Sequence, residues 1–561
     1  MSALARIVPA AGWLREYRRA DLRGDLSAGL TVAVMLVPQS MAYAMLAGLP
    51  PIVGLYASVA PLVIYALFGS SRQLAVGPVA LDSLLVAAAI APIVQGAGGG
   101  IALYVQLAVM LALMVGVIEL IMGAARLGFI VNFLSNPVIS GFTSAAALVI
   151  GLSQLKHLLG IDLPRSARFH TLALEAASRL GEAHGATALI GVAAIVLLVA
   201  LKKWKPAFPA PLVAVATGTL AVWGLGLADA GVAIVGEIPR GLPAPGAPVF
   251  DLGYARELLP SALLVALIGF MEAISVGKAF ARKNKYAIAP NQEFAALGLA
   301  NIAGSFFGAY PVSGGLGRTA VNAQAGARTQ LASLVAAALV ALSLLLLTPL
   351  FYYLPRAVLG AIVIVAVAGL VDLKEIARLW RIKKIDAGLL LLTLLATLLL
   401  GIQQGIVLGI GASLALFIFR TTRPHTAVLG RLPGSDVYRN LKRFPEAREI
   451  PGVLIIRVDA AFYFANVEYL KDLVNDLVLA ECESLHALVI DASSINDLDS
   501  SAALALEEII DQLAAENIAL YLAGAKGPVR DVLHTTGLWD RLGESHFPFT
   551  VQQAIDAIEK T

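Results

Sequence analysis

Charge is what this sequence has least of. Asp, Glu, Lys and Arg together make up 14% of 561 residues, while hydrophobic residues make up 58%. Soluble chains carry about 25% charged residues. Too few charges are present to coat a water-exposed surface at this length, so lipid must solvate much of the chain. Cysteine is almost missing, and the single Cys482 excludes an intrachain disulfide. The seven histidines are scattered without metal-ligand spacing, and no P-loop or nucleophile–base motif is present. Neither a metal nor an organic cofactor is therefore expected, and an enzyme is not the expected class. A formal net charge of +3 leaves no footprint for nucleic acid. Nor does the N-terminus read as a cleaved signal peptide. Its first long apolar run follows the basic stretch Arg15, Arg18, Arg19 and Arg23, and no small-residue cleavage site comes after it.

What the chain has instead is apolar runs of helical length, one after another, from about Ser27 to about Phe419. Each of the stronger ones is long enough to span about 30 Å of hydrocarbon at about 1.5 Å per residue. The count is about fourteen passes, the shortest near 74–92 and 312–327. An even count puts both ends on one side. Basic residues then recur at alternate loops: Arg72, Arg126, Lys202–Lys203–Lys205, Arg282–Lys283–Lys285, Arg328 and the Lys374–Lys384 segment, with Arg420–Arg423 on the same side. The short loops at 47–51, 93–102 and 402–405 carry no Lys or Arg. This alternation predicts both termini in the cytoplasm. The loops around 156–185 and 226–257 are longer and hold a few charges.

Near Pro424 the character changes. Charged residues become frequent, and the short runs Val453–Val458, Ala487–Ile490 and Ile518–Ala523 read as buried strands. Helix-like stretches at about 466–480 and 500–515 alternate with them, which predicts a soluble α/β domain. The segment 421–435 reads as the linker. The division is a transmembrane domain over 1–425, followed by linker and soluble domain over 426–561.

Ionisable groups at membrane depth are functional candidates. Glu272 lies ten positions before Arg282, and Arg318 ten before Arg328. On helices both lie about 15 Å from the basic edge, close to the midplane. The alternative is a mutual salt bridge that only ties two helices together. Before Arg318 comes Pro311-Val-Ser-Gly-Gly-Leu-Gly317, a run that does not sustain a helix. A half-helix that begins there aims free N–H groups inward, which makes an anion site. The segment Val76-Gly-Pro-Val-Ala-Leu81 has the same character about 240 residues earlier. Two broken segments in two halves point to an inverted repeat with its site at the midplane. In the first pass, Pro38-Gln39 is expected to interrupt the helix. Gln39 and Tyr43, at i and i+4, share a face and can both donate to an oxyanion. Alone, that pair reads as an amide and a phenol joining helices. Glu119 is expected to snorkel or to pair with Arg126 near the cytoplasmic face. Asp82 either tunes the site or merely caps.

The run Val37-Pro-Gln-Ser-Met-Ala-Tyr-Ala-Met-Leu-Ala-Gly-Leu-Pro-Pro51 resembles the sulfate-transporter signature of the SulP family of anion permeases and exchangers. Met271-Glu-Ala-Ile-Ser-Val-Gly-Lys-Ala-Phe-Ala281 and Gly315-Leu-Gly-Arg-Thr-Ala-Val-Asn322 are similar to that family's eighth and tenth passes. The resemblance implies fourteen segments in two inverted repeats of seven. A core domain (passes 1–4 and 8–11) would move like an elevator against a gate domain (passes 5–7 and 12–14). It also implies a homodimer and a C-terminal STAS domain, whose loop is matched by Asp491-Ala-Ser-Ser494 and Asp499-Ser-Ser501. The serine phosphorylated in related soluble antagonists would fall on Ser500 or Ser501, although helix capping by Asp499 or Ser500 is the expected role here.

By the same resemblance Gln39 and Tyr43 are first-pass anion ligands. Val79, Ala80 and Leu81 start the third-pass half-helix. Gly315, Leu316, Gly317 and Arg318 start the tenth, with Arg318 as the cationic anchor, and Glu272 carries the coupling proton. Some members have serine where this chain has Gly315 and Gly317, which leaves the oxyanion more dependent on backbone N–H groups. Bicarbonate-type relatives have an aspartate at position 272 and a threonine four residues on, both serving sodium. Here that second position is Val276, which favours a proton over sodium. The expected function is proton-coupled sulfate uptake across a bacterial inner membrane. The alternatives are a dicarboxylate or bicarbonate transporter of the same fold, or a non-transporting anion sensor that signals through STAS.

Overall fold

The computed structural model describes residues 8–129, 135–163, 168–204, 209–481 and 485–560. Lys205 and Cys482 lie outside the described residues. The chain forms two compact units, Met1–Ser413 and Leu414–Thr561.

In chain order the first unit runs α1 (Arg19–Leu46), α2 (Pro51–Tyr56), α3 (Ala60–Phe68), β1 (Val76–Gly77), α4 (Ala80–Gly96), α5 (Ile101–Ala124), α6 (Asn136–Ser153), α7 (Gly185–Trp204) and α8 (Ala210–Gly224). It continues with α9 (Leu252–Lys283), α10 (Pro290–Ser305), β2 (Ser313–Gly314), α11 (Leu316–Gln324), α12 (Leu331–Leu342), α13 (Arg356–Ala368), α14 (Lys384–Leu400) and α15 (Ile402–Thr422), within which the division falls. Among the described residues, eight helical segments are long and apolar enough to cross a membrane. The shorter apolar helices α4, α8 and α13 accompany them. Small residues let these helices approach closely. A Cβ placed on Gly116 of α5 would stand 2.7 Å from the carbonyl oxygen of Gly298 on α10, and one on Gly298 would stand 2.7 Å from that of Gly116.

Two expectations need correction. Pro38 does not interrupt the first pass, because α1 runs unbroken through it to Leu46. Proline removes a single N–H from the ladder, and Ser40 Oγ donates to the Val37 carbonyl at 3.0 Å beside it. That bond does not replace the one lost, whose acceptor is the Val34 carbonyl; packing against neighbouring helices lets a membrane helix absorb a proline. Likewise, the ten positions from Arg318 to Arg328 are not all helical. α11 ends at Gln324, and the chain turns before Arg328. Glu272 and Arg282 do share one helix, α9. The capping carboxylate of Asp251 starts that helix, accepting from the N–H groups of Gly253 (2.8 Å) and Tyr254 (3.0 Å).

The second unit holds a five-stranded sheet in the order β4-β3-β5-β6-β7, from β3 (Thr426–Arg431), β4 (Tyr438–Asn440), β5 (Val453–Val458), β6 (Ala487–Asp491) and β7 (Ala519–Ala523). The three apolar runs are its parallel centre, in register at Leu454, Leu488 and Leu520. The stretch read as a linker, 421–435, instead contains β3, which pairs antiparallel with β5. Polar and turn residues around it hid an alternating strand that is buried at Ala427 and Leu429. Helices α16 (Val467–Glu481), α17 (Ser500–Ala515), α18 (Gly527–Thr535) and α19 (Val551–Ile558) complete the unit. Side chains alternate across the sheet. Leu454, Ile456 and Val458 join the core with α16 and α17, whereas Val453 and Ile455 face Ala554 and Ile555 of α19.

Candidate anion site

The site grows out of four residues. β1 and β2 pair antiparallel, with Val76 opposite Gly314 and Gly77 opposite Ser313. Each strand leads into a helix whose N-cap, Val79 or Gly315, is extended and makes no side-chain cap hydrogen bond. A helix start leaves N–H groups unsatisfied, and Val and Gly have no oxygen to offer them. Two helices of opposite halves thus start beside one strand pair with their amide ends uncapped. That is the arrangement that attracts an oxyanion.

Arg318 lies in the first turn of α11 and is only 3% exposed. Its Nη1 donates to the carbonyl of Pro78, just ahead of α4. Its Nε and Nη2 have no hydrogen-bond partner among the described residues. Glycine makes the room for it. Gly77 has φ +148°, and a Cβ there would stand 3.4 Å from Nη2 of Arg318, while one on Gly315 would stand 3.0 Å from the same atom. A guanidinium with two donors left over, away from water, is a fork waiting for a bidentate acceptor.

A cavity of about 360 Å³ opens onto these groups. Gln39, Tyr43, Val79, Ala80, Glu272, Gly315, Leu316, Gly317 and Arg318 all line it. Of the expected site residues only Leu81 does not. It is buried behind the surface, 4% exposed. Glu272 Oε2 and Gln39 Oε1 have no hydrogen-bond partner, and no ion pair joins Glu272 to Arg318 among the described residues. The salt bridge weighed as the alternative reading is therefore absent. Val276 is buried and is not part of the lining. Sequence reasoning missed Lys202, exposed in the last turn of α7, and the apolar stretch from Ile362 to Leu370, which form the opposite wall. Lys202 had registered only as a loop charge.

Irregular backbone away from water needs side-chain partners, and a polar shell supplies them. Thr319 Oγ1 accepts from Ala75 N (3.1 Å) and donates to Gly315 O (2.7 Å). Asn301 donates to Val312 O (3.1 Å), accepts from Val312 N (2.9 Å), and donates to Glu119 (2.9 Å). The hydrogen-bond partner of Glu119 is thus Asn301 and not Arg126. Glu119 is 1% exposed and holds the residue that braces β2. Asn322 Nδ2 donates to Gln73 O (2.8 Å), and Gln330 Nε2 to Ser71 O (2.6 Å) and Leu74 O (3.1 Å). Asp82 accepts from Ser313 Oγ, and Ser83 shares a hydrogen bond with Tyr310 OH (2.9 Å). These residues lack a sequence signal of their own, because each acts on backbone distant in the chain.

A second cavity of about 120 Å³ follows the first along the same two helices. It touches Met45 and Leu46 of α1 and Leu84, Ala88 and Pro92 of α4, with Lys156 on its far wall. Tyr43, Leu84 and their buried neighbours stand between the two cavities. In the second unit, Asp499 caps α17 by accepting from Ala502 N at 2.8 Å, and Ser500, its first residue, is exposed.

The sulfate permease family profile matches residues 22–393, and the STAS domain profile matches 444–554. The chain is 41% identical to "Sulfate transporter 4.1, chloroplastic" of Arabidopsis thaliana, over 98% of this chain and 82% of that protein. It is 37% identical to a probable sulfate transporter of Mycobacterium tuberculosis, over 98% and 99%. A solved structure of SLC26A9 superposes with a TM-score of 0.92 at 26% identity, covering 100% of this chain and 94% of that one. The murine Slc26a9 anion transporter in the inward-facing state does so at 0.92 and 27%, covering 99% and 94%.

Proposed function

Because the chain belongs to the sulfate permease family and is an integral membrane protein, we propose that it takes up sulfate with a proton, seating the anion on Arg318 between the starts of α4 and α11. The observation that carries this reading is the buried guanidinium with Nε and Nη2 unpartnered, facing a cavity flanked by two uncapped helix ends. Hydrogen bonds from charged donors are worth about 1.5–3 kcal/mol each, enough to hold an oxyanion once its water is stripped. The relatives named as sulfate transporters support the choice of anion.

Glu272 supplies the proton site. It lines the same cavity as Arg318, with one oxygen unpartnered. Protonated, it leaves the guanidinium to the substrate. Ionised, it offers Arg318 an internal counter-ion. Val276 four residues on has no side-chain oxygen for sodium. In this reading the transmembrane domain, 1–425, has fourteen segments in two inverted repeats of seven, and 426–561 form the STAS part. The core, passes 1–4 and 8–11, carries the anion past a gate of passes 5–7 and 12–14. The first cavity, with Lys202 at its wall, is the cytoplasmic approach, and the smaller cavity at Lys156 is the closed external one. The protein works as a homodimer in a bacterial inner membrane with both termini cytoplasmic.

Uptake of labelled sulfate into proteoliposomes, with and without an inward proton gradient, tests this. We expect the gradient to drive accumulation. Glu272→Gln is expected to abolish the pH dependence and still bind sulfate. Full pH dependence in that variant removes the coupling role, and stronger competition by fumarate, succinate or bicarbonate than by unlabelled sulfate reassigns the substrate.

A further inference from the structure

Asp82 is the buried ionisable group at the site for which the mechanism above has no use. It is 1% exposed in the first turn of α4. One carboxylate oxygen accepts from Ser313 Oγ, and the other has no partner among the described residues. It faces α9 at Gly269, where a Cβ would stand 3.4 and 3.5 Å from its two oxygens. Gly269 and Glu272 are one turn apart on the same face of α9. Glu272 is within electrostatic reach of both Asp82 and Arg318.

We propose that Asp82 is a second proton-binding carboxylate of the transport site, filled through Glu272, so that two protons accompany each divalent oxyanion. This rests on the proton-coupled reading above. Glu272 lines the cavity and Asp82 does not, so a proton from water first makes an O–H bond at Glu272. It then passes to Asp82, and Glu272 takes up the next one.

Charge balance is the reason two are needed. The cluster holds two carboxylates and one guanidinium. Empty and fully ionised, it carries one net negative charge. A dianion with two protons restores that same net charge. With one proton the loaded cluster is one charge more negative than the empty one, and each full cycle then carries one net negative charge inward against the membrane potential. The other groups facing Asp82 do not supply the balance. They are Glu119 of α5, which holds Asn301, and Tyr310, which is engaged by Ser83. α6 carries no titratable side chain.

The test is the proton-to-sulfate ratio of the full chain in proteoliposomes, measured with imposed pH gradients and membrane potentials. Wild type is expected to take two protons per sulfate and to ignore the potential. Asp82→Asn, which keeps an acceptor oxygen for Ser313, is expected to take one and to become sensitive to potential. Asp82→Glu keeps the carboxyl and is expected to retain two, which guards against a loss that is only structural. A ratio of one in wild type, or of two in Asp82→Asn, overturns the role of Asp82 and leaves proton coupling itself standing. Uptake in wild type that ignores the proton gradient removes both.

Discussion

The guanidinium of Arg318 donates through Nη1 to the carbonyl of Pro78, 240 positions earlier in the chain. The bond ties the cation to the turn that starts α4, and it leaves Nε and Nη2 without a hydrogen-bond partner among the described residues. Arg318→Lys keeps the charge but loses the fork. We expect roughly a tenfold weaker sulfate affinity for it, and a loss of about 3 kcal/mol or more, over 100-fold, for Arg318→Ala. Equilibrium binding of labelled sulfate to purified protein measures both.

The two glycines beside that guanidinium are expected to fail differently. Gly77→Ala places an L-residue at φ +148° without a clash, since the new Cβ stands at an ordinary 3.4 Å. Its effect is strain of about 1–3 kcal/mol, read as a lower melting temperature in detergent. Gly315→Ala has ordinary backbone, φ −88°, but puts a Cβ 3.0 Å from Nη2. It is expected to displace the guanidinium and weaken sulfate binding while the melting temperature holds.

Asn301 on α10 makes two hydrogen bonds to Val312, which leads into β2, and a third to Glu119 of α5. Asn301→Ala strands both backbone groups of Val312 and an oxygen of Glu119. The expected loss is about 2–4 kcal/mol of stability, seen as a drop in thermal stability that saturating sulfate only partly restores.

In the second unit, Asp499 accepts from Ala502 N at 2.8 Å and from Phe464 N at 2.9 Å. Asp499→Ala is expected to cost about 1 kcal/mol at this cap. Amide hydrogen exchange on the full chain then speeds up in the first turn of α17 and at Phe464. A change of that size does not reach the sheet.

What was legible in the sequence is what depends on local pattern. The strands of the second unit show as apolar runs, and the two broken segments show because proline and glycine cannot sit quietly inside a helix. Arg318 and Glu272 show because charge at that depth is rare. What stayed hidden acts across distance. Glu119 was read toward Arg126, seven residues away, whereas its partner is Asn301, and no spacing rule links positions 182 apart. Lys202 sits in a cluster that marks loop charge, so its place on the cavity wall has no separate signature. β3 was lost because the polar and turn residues around it read as a linker, and Pro38 misled because packing against neighbouring helices can hold a membrane helix continuous through a proline.

Val76, Gly77, Ser313 and Gly314 have one more consequence. Any movement that drew the start of α4 away from the start of α11 would tear their paired backbone apart with no water at hand to heal it. On the proposed reading an anion would therefore not be handed from one helix to the other, because both helix starts would have to move with it as one piece.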